Sequence, residues 1–385
     1  MVDSVRIQRI GPGLWSIAPP GSPTPADTDP GLDTAVLEVG GGHLSWSVLA
    51  PPQIPAAILH DLDTAQEWLW ALYGAAVAVA ADEYSGPVEL PARPERPELA
   101  AAVRRLGYAH WAARWWPAST VDGIPALDAT ELEGEIAELS EICESVVAGA
   151  DAAVPAESVQ ITEVPEMEYR LGGPAPGRAA DYALAAGGQR DPQAALVLER
   201  GSAGWDWRYC PPGVVDASER AVSWELTRTG GVNSLRVRAV AAPGLRGEPP
   251  AHLRPYALVR TPAGDHGAAL VLAGDSWTAA VADTADTVAG VEVYVPGVGP
   301  APPRRVDPSQ FATELPGPDP RDPADPAVDA RQRERIRELA HARLRRAESG
   351  PGVGPARAGE PPAGGPTDIG PLRAETTAAE KDSDF

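Results

Sequence analysis

Lysine is almost missing from this 385-residue chain: Lys381 stands alone among 32 basic residues, and the others are arginine. A Walker-type Gly-Lys-Ser/Thr loop and Schiff-base catalysis both need a lysine within a folded site. A single lysine close to the end of the sequence supplies neither. Asparagine is represented by Asn233 alone, and phenylalanine occurs twice. Codons for these three residues are AT-rich, whereas those for Ala, Pro, Gly and Arg are GC-rich. The bias reads as the imprint of a high-GC bacterial genome, so arginine abundance is no sign of selection for bidentate contacts.

Cysteine is equally sparse. Cys143 and Cys210 lie far apart, which fits neither a disulfide framework nor a four-ligand zinc site. Each reads as a buried thiol acting as a small hydrophobe. The six histidines, His43, His60, His110, His252, His266 and His341, show no spacing of the His-Glu-x-x-His kind. No metal and no cofactor is expected. No Gly-x-Gly-x-x-Gly opens a helix after a strand. The longest apolar run, residues 68–81, is too short to span a bilayer, and MVDSVRIQRIGPGLW lacks the apolar region of a signal peptide. These features predict a soluble, cytoplasmic protein without membrane insertion.

What is present is an apolar content of 43%, enough for sizeable cores, and a net charge of −22. The charge is uneven: −16 over residues 1–160, −6 over 161–327 and zero over 328–385. An acidic body repels a phosphate backbone, so nucleic acid is not an expected partner. Another protein is.

Hydrophobic periodicity predicts an α+β chain. Residues 1–155 read as an acidic domain of mixed sheet and helices. Alternating strands fill its first fifty residues, with a hairpin turn at Gly40-Gly41-Gly42. A helix follows over 64–81, capped by Asp61 or Asp63. Another starts after Pro97, with Gly107 resembling a helix C-terminal glycine, and YAHWAARWW continues helically to Pro117. A third, glutamate-rich, covers 128–148. Residues 160–296 read as an antiparallel β-sandwich or barrel-like domain of short strands, among them ADYALAA, AALVLER, DWRYC, RAVSWELT and SLRVRAVA. A Pro-rich linker occupies 297–327. Residues 328–348 form a basic amphipathic helix on that tether, and 349–385 read as a disordered tail.

Gly274-Asp275-Ser276, after the strand ALVLA, resembles the nucleophile block of the lipase-like hydrolases named after that motif. In that family the serine lies near the amino terminus and a carboxyl-terminal Asp-x-x-His completes the site. Here the motif comes late, no Asp-x-x-His follows, and Gly-Asp reads as a tight turn. Asp265-His266, between Gly264 and Gly267, likewise reads as a polar turn.

Eleven tryptophans stand out among the remaining features. Trp111, Trp115 and Trp116 share one helical surface with Arg114, and tryptophan and arginine dominate binding hot spots. A second set of partner-binding candidates lies on the basic helix: Arg335, Ile336, Leu339, Arg343 and Leu344. Its opposite charge suggests folding back onto the glutamate-rich helix 128–148. Trp205 and Trp207 are candidates for stacking on sugar rings if they share one strand face. The function expected is a non-catalytic protein-interaction module, an adaptor or accessory subunit of a bacterial multi-protein system. The alternatives are an enzyme with a motif-free carboxylate/arginine site, such as Glu163, Glu166 and Glu168 near Tyr169, or a carbohydrate-binding β-domain protein.

Overall fold

The structure, a computed structural model, describes residues 4–20, 22, 31–50, 54–83, 86–151, 195–245, 247–282, 284–299, 326–349 and 369–383. Both helices and antiparallel sheets are present, as the α+β reading expects. ADYALAA, the Pro-rich stretch 300–325, and Glu163, Glu166, Glu168 and Tyr169 lie outside the described residues.

Strands β1 (Ser4–Gly11), β2 (Leu14–Ala18), β3 (Thr34–Val39), β4 (Gly42–Ser47) and β5 (Ala56–Leu59) precede helices α1 (Leu62–Tyr73) and α2 (Ala75–Glu83). Strand β6 (Val88–Pro91) and helices α3 (Pro97–Trp115) and α4 (Ala129–Ile142) follow. The strands form one antiparallel sheet in the order β3-β4-β5-β2-β1-β6. Its register aligns Ile7, Ile17, Ala57, Leu44 and Leu37 in a single buried row. Period-two alternation thus puts every one of them on the face that α1, α2 and α3 cover.

Helix boundaries differ from the sequence expectation at three places. The helix expected over 64–81 breaks at Gly74, which has φ 95° and donates its N–H to the Trp70 carbonyl. A side chain there would place Cβ 2.3 Å from the Arg93 carbonyl oxygen, so only glycine admits the passing chain. Gly107 ends nothing: α3 runs straight through it, because its bare Cα lies under the Trp46 ring, 2.2 Å from where a Cβ would be. Helix α4, capped by Asp128, stops at Ile142. The chain beyond it turns back to pair with β3, where Gly40 donates to the Val146 carbonyl at 2.8 Å.

The second half is all antiparallel. Its strands are β7 (Leu196–Ala203), β8 (Val222–Thr229), β9 (Val232–Val240), β10 (Tyr256–Thr261), β11 (Gly264–Ala269), β12 (Val271–Ala273), β13 (Ser276–Ala282) and β14 (Gly290–Tyr294). They form a five-stranded sheet, β12-β13-β9-β8-β7, and a three-stranded one, β11-β10-β14. Val222, Ala239 and Trp277 pair across the larger sheet, and all three are buried. DWRYC is not a strand. Asp206 caps a short 3-10 turn over Trp207–Tyr209 by accepting from the Arg208 N–H at 3.0 Å. Gly274-Asp275 forms the turn between β12 and β13, with Gly274 at φ 64° and the Ser276 hydroxyl donating to Asp275.

Helices α5 (Pro326–Glu348) and α6 (Arg373–Ser383) complete the chain and pack on each other. Reading all of 349–385 as a tail is therefore corrected at its far end. Leu372, Ala374, Glu375, Ala378 and Ala379 are buried. Apolar burial is continuous from Val5 to Ala374, and residues of both halves share it.

Candidate functional site

Where the two halves meet, the carboxyl end of α3 faces the loops around residues 205–217. The seam is fastened by Asp216, which is fully buried and accepts from the Ser119 hydroxyl (2.7 Å), the Thr120 N–H (2.7 Å) and the Ser218 N–H (2.9 Å). Each donor satisfies part of a carboxylate that would otherwise be costly to bury. Nothing in the local sequence around Asp216 announces this role.

Beside that clamp lies a pocket of about 40 Å³ whose walls include Arg114, Trp115 and Trp116 from one half and Trp205, Trp207 and Cys210 from the other. Two tryptophan groups more than eighty positions apart in sequence thus converge. Trp115 and Trp116 are half-buried, and the Arg114 guanidinium lies 4.9 Å from the Trp115 ring centroid, a cation–π contact. The Trp116 indole N–H donates to the Pro125 carbonyl at 2.9 Å and that of Trp205 to the Asp216 carbonyl at 2.7 Å. Trp207 is different: its Nε1 is buried with no acceptor among the described residues. Burial, with Asp206 adding to it, pushes the Cys210 thiol up to about 12, so it lines the wall as a neutral apolar group.

Other sequence candidates are placed elsewhere. Trp111 belongs to the core: its N–H donates to the Leu32 carbonyl at 2.8 Å and its ring stacks on Tyr108. Trp205 and Trp207 are 7% and 5% exposed, so they display no ring face for a sugar. The shared strand that expectation needs is not formed: Trp207 lies in the 3-10 turn and Trp205 ahead of its cap.

The basic helix is likewise committed within the chain. Ile336, Leu344 and Arg343 are buried, Leu339 is half-buried, and only Arg335 of the five candidates is exposed. Arg343 pairs with fully buried Glu375 of α6 (Nη2–Oε2 2.6 Å), and the Tyr108 hydroxyl donates to the same carboxylate at 2.7 Å. Burial and that neighbouring carboxylate raise the Tyr108 phenol well above its ordinary value. Arg337, also buried, contacts Glu219 (3.2 Å), Glu334 and Asp122 (3.6 Å) at a polar cleft of about 540 Å³ whose rim also carries Arg220 and His341. The helix therefore folds back, but not onto the glutamate-rich α4. Helix α6 lies on α4 instead: Glu135 takes Arg105 (2.8 Å) and the Arg373 N–H (2.8 Å), and Glu138 takes the Arg373 side chain (3.0 Å).

Among the described residues no cluster of three or more His, Cys, Asp or Glu side chains is placed to hold a metal ion. Among them, too, no helix is long and apolar enough to cross a membrane. His110 approaches Asp151 at 3.8 Å, and burial lowers its basicity while Asp151 opposes that shift. No family model, curated protein or solved structure matches the chain.

Proposed function

We infer that the protein is a non-catalytic interaction module of the bacterial cytoplasm, an adaptor or accessory subunit that holds a protein partner at the tryptophan pocket. One observation carries this reading: Arg114, Trp115 and Trp116 meet Trp205 and Trp207 around a single concavity at the seam. Arginine and tryptophan in a water-excluding pocket are the residues that dominate binding hot spots. The pocket combines anchored walls with exposed and half-exposed members at its mouth, so a partner meets a preformed surface.

The experiment is affinity capture from the native host with the wild-type chain and with Arg114→Glu/Trp115→Ala, captured proteins being identified by mass. Arg114 is exposed and Trp115 half-buried against the core, so a thermal midpoint close to the wild type's is the check that the double variant is folded. A near-stoichiometric companion held by the wild type and lost from the double variant is the expected result. A companion retained equally by both removes the pocket from the account.

A further inference from the structure

We propose that the tryptophan pocket receives a proline residue from an extended partner segment that carries an acidic side chain next to that proline. The inference rests on the adaptor reading above and names what the adaptor grips. Three features of the pocket define the ligand. The first is size: about 40 Å³ is room for roughly three water-sized centres, which suits a compact saturated ring. The half-buried indoles of Trp115 and Trp116 are the kind of flat wall on which proline-bearing, polyproline-II segments are read, since such segments arrive pre-extended and lose little entropy on docking.

The second feature is the buried Trp207 N–H, which has no acceptor among the described residues. An unmet donor in an apolar wall carries a desolvation cost that a carbonyl admitted by a small shift of the indole relieves. An extended proline segment makes no internal hydrogen bonds, so its carbonyls are free to accept. Of the other three indoles at the pocket, those of Trp116 and Trp205 are already engaged, by the carbonyls of Pro125 and Asp216, and that of half-buried Trp115 lies nearer solvent. Among the pocket's buried indoles, Trp207 is the one whose N–H has no acceptor among the described residues.

The third feature is charge. Among the described residues no carboxylate pairs with Arg114, which is exposed and lies against the Trp115 ring. Arg208, next to Trp207 in the chain, is by contrast paired with Asp206 (2.7 Å) and Asp329 (2.8 Å). In a chain of net charge −22, a cation left without a carboxylate beside an aromatic pocket is complementary to an acidic group on the ligand.

The probe is the peptide acetyl-Ala-Pro-Asp-Pro-Ala-amide, titrated into the full chain carrying ¹⁵N-labelled indoles. The Trp207 indole resonance is identified by its loss in Trp207→Phe. That resonance should move on titration, and a peptide with both prolines replaced by alanine should bind about tenfold more weakly or worse. Arg114→Gln should weaken the aspartate peptide by up to about fivefold and leave its asparagine counterpart unchanged, as a solvent-exposed ion pair allows. Being exposed, that substitution leaves the fold intact. No movement of the Trp207 resonance at millimolar peptide, or equal binding of the alanine peptide, overturns the proposal. If companion capture depends on Arg114 and Trp115 while no proline peptide binds, the ligand class fails and the adaptor reading stands. Proline-dependent binding without any captured companion supports the ligand class and counts against the adaptor.

Discussion

Cys143 and Cys210 show how far a single residue type can be read before folding is known. Their separation in sequence already suggests two buried thiols, and both are buried and free. Burial pushes each from 9.0 up to about 12. The folded chain therefore keeps both protons to higher pH than the unfolded chain, and stability from the neutral thiols is complete below about pH 9 and lost as pH rises towards 12. We expect neither thiol to react with a soluble disulfide reagent at pH 8 until denaturant is added, and urea midpoints to fall above pH 9. A thiol titrating in the native state would contradict the burial. The tryptophans are less transparent. Trp111 looks like a member of the same surface as Trp115 and Trp116, because helical spacing fixes relative angles on a cylinder but not which side meets the core. Only the Leu32 carbonyl, far away in sequence, decides that Trp111 turns inward.

At the scale of elements, strands are more legible than helix ends. The alternations Val222, Trp224, Leu226 and Leu235, Val237, Ala239 are paired in the sheet as period two requires. Gly74 and Gly107 mislead because both are answers to tertiary neighbours, Arg93 and Trp46, that lie elsewhere in the chain. Helix α6 escapes notice for another reason. Its buried apolar side chains are Leu372 just ahead of it and three alanines, so it has no broad apolar stripe, and charge holds it in place. Glu375 is the centre of that hold, accepting from Arg343, from Tyr108 and from the Leu372 N–H at 2.7 Å. Glu375→Gln leaves the Arg343 guanidinium buried without its counter-charge, a change costing about 3–5 kcal/mol. Urea unfolding should show that loss, and trypsin should cut after Arg373 under conditions that spare the wild type. An unchanged digestion pattern would mean that α6 is held chiefly by its alanines.

For the whole molecule, the acidic α+β half, the all-β half and the carboxyl-terminal helices are separable by composition but not by packing. The main apolar core draws on all three, a second cluster joins Ile124 to the carboxyl-terminal helices, and Asp216 of one half binds the Ser119 hydroxyl and the Thr120 N–H in the other. Composition cannot reveal this, because a seam made from one aspartate and a few backbone groups leaves no periodic trace. Calorimetry of the intact chain should give a single transition. Asp216→Ala strands two buried donors, the Ser119 hydroxyl and the Ser218 N–H, at about 1–3 kcal/mol each, and should move that transition to lower temperature without splitting it. Two resolved peaks in the wild type would show that the shared core does not couple the halves. The bonds from Arg105 to the carbonyls of Gly370 and Pro371 join positions 265 and 266 residues apart. During synthesis at roughly 5–20 residues per second, α3 leaves the ribosome many seconds before its last partners exist. Throughout that interval Tyr108, Arg105 and Glu135 await a segment still being made, so the growing chain is vulnerable at the very surface that its final residues close.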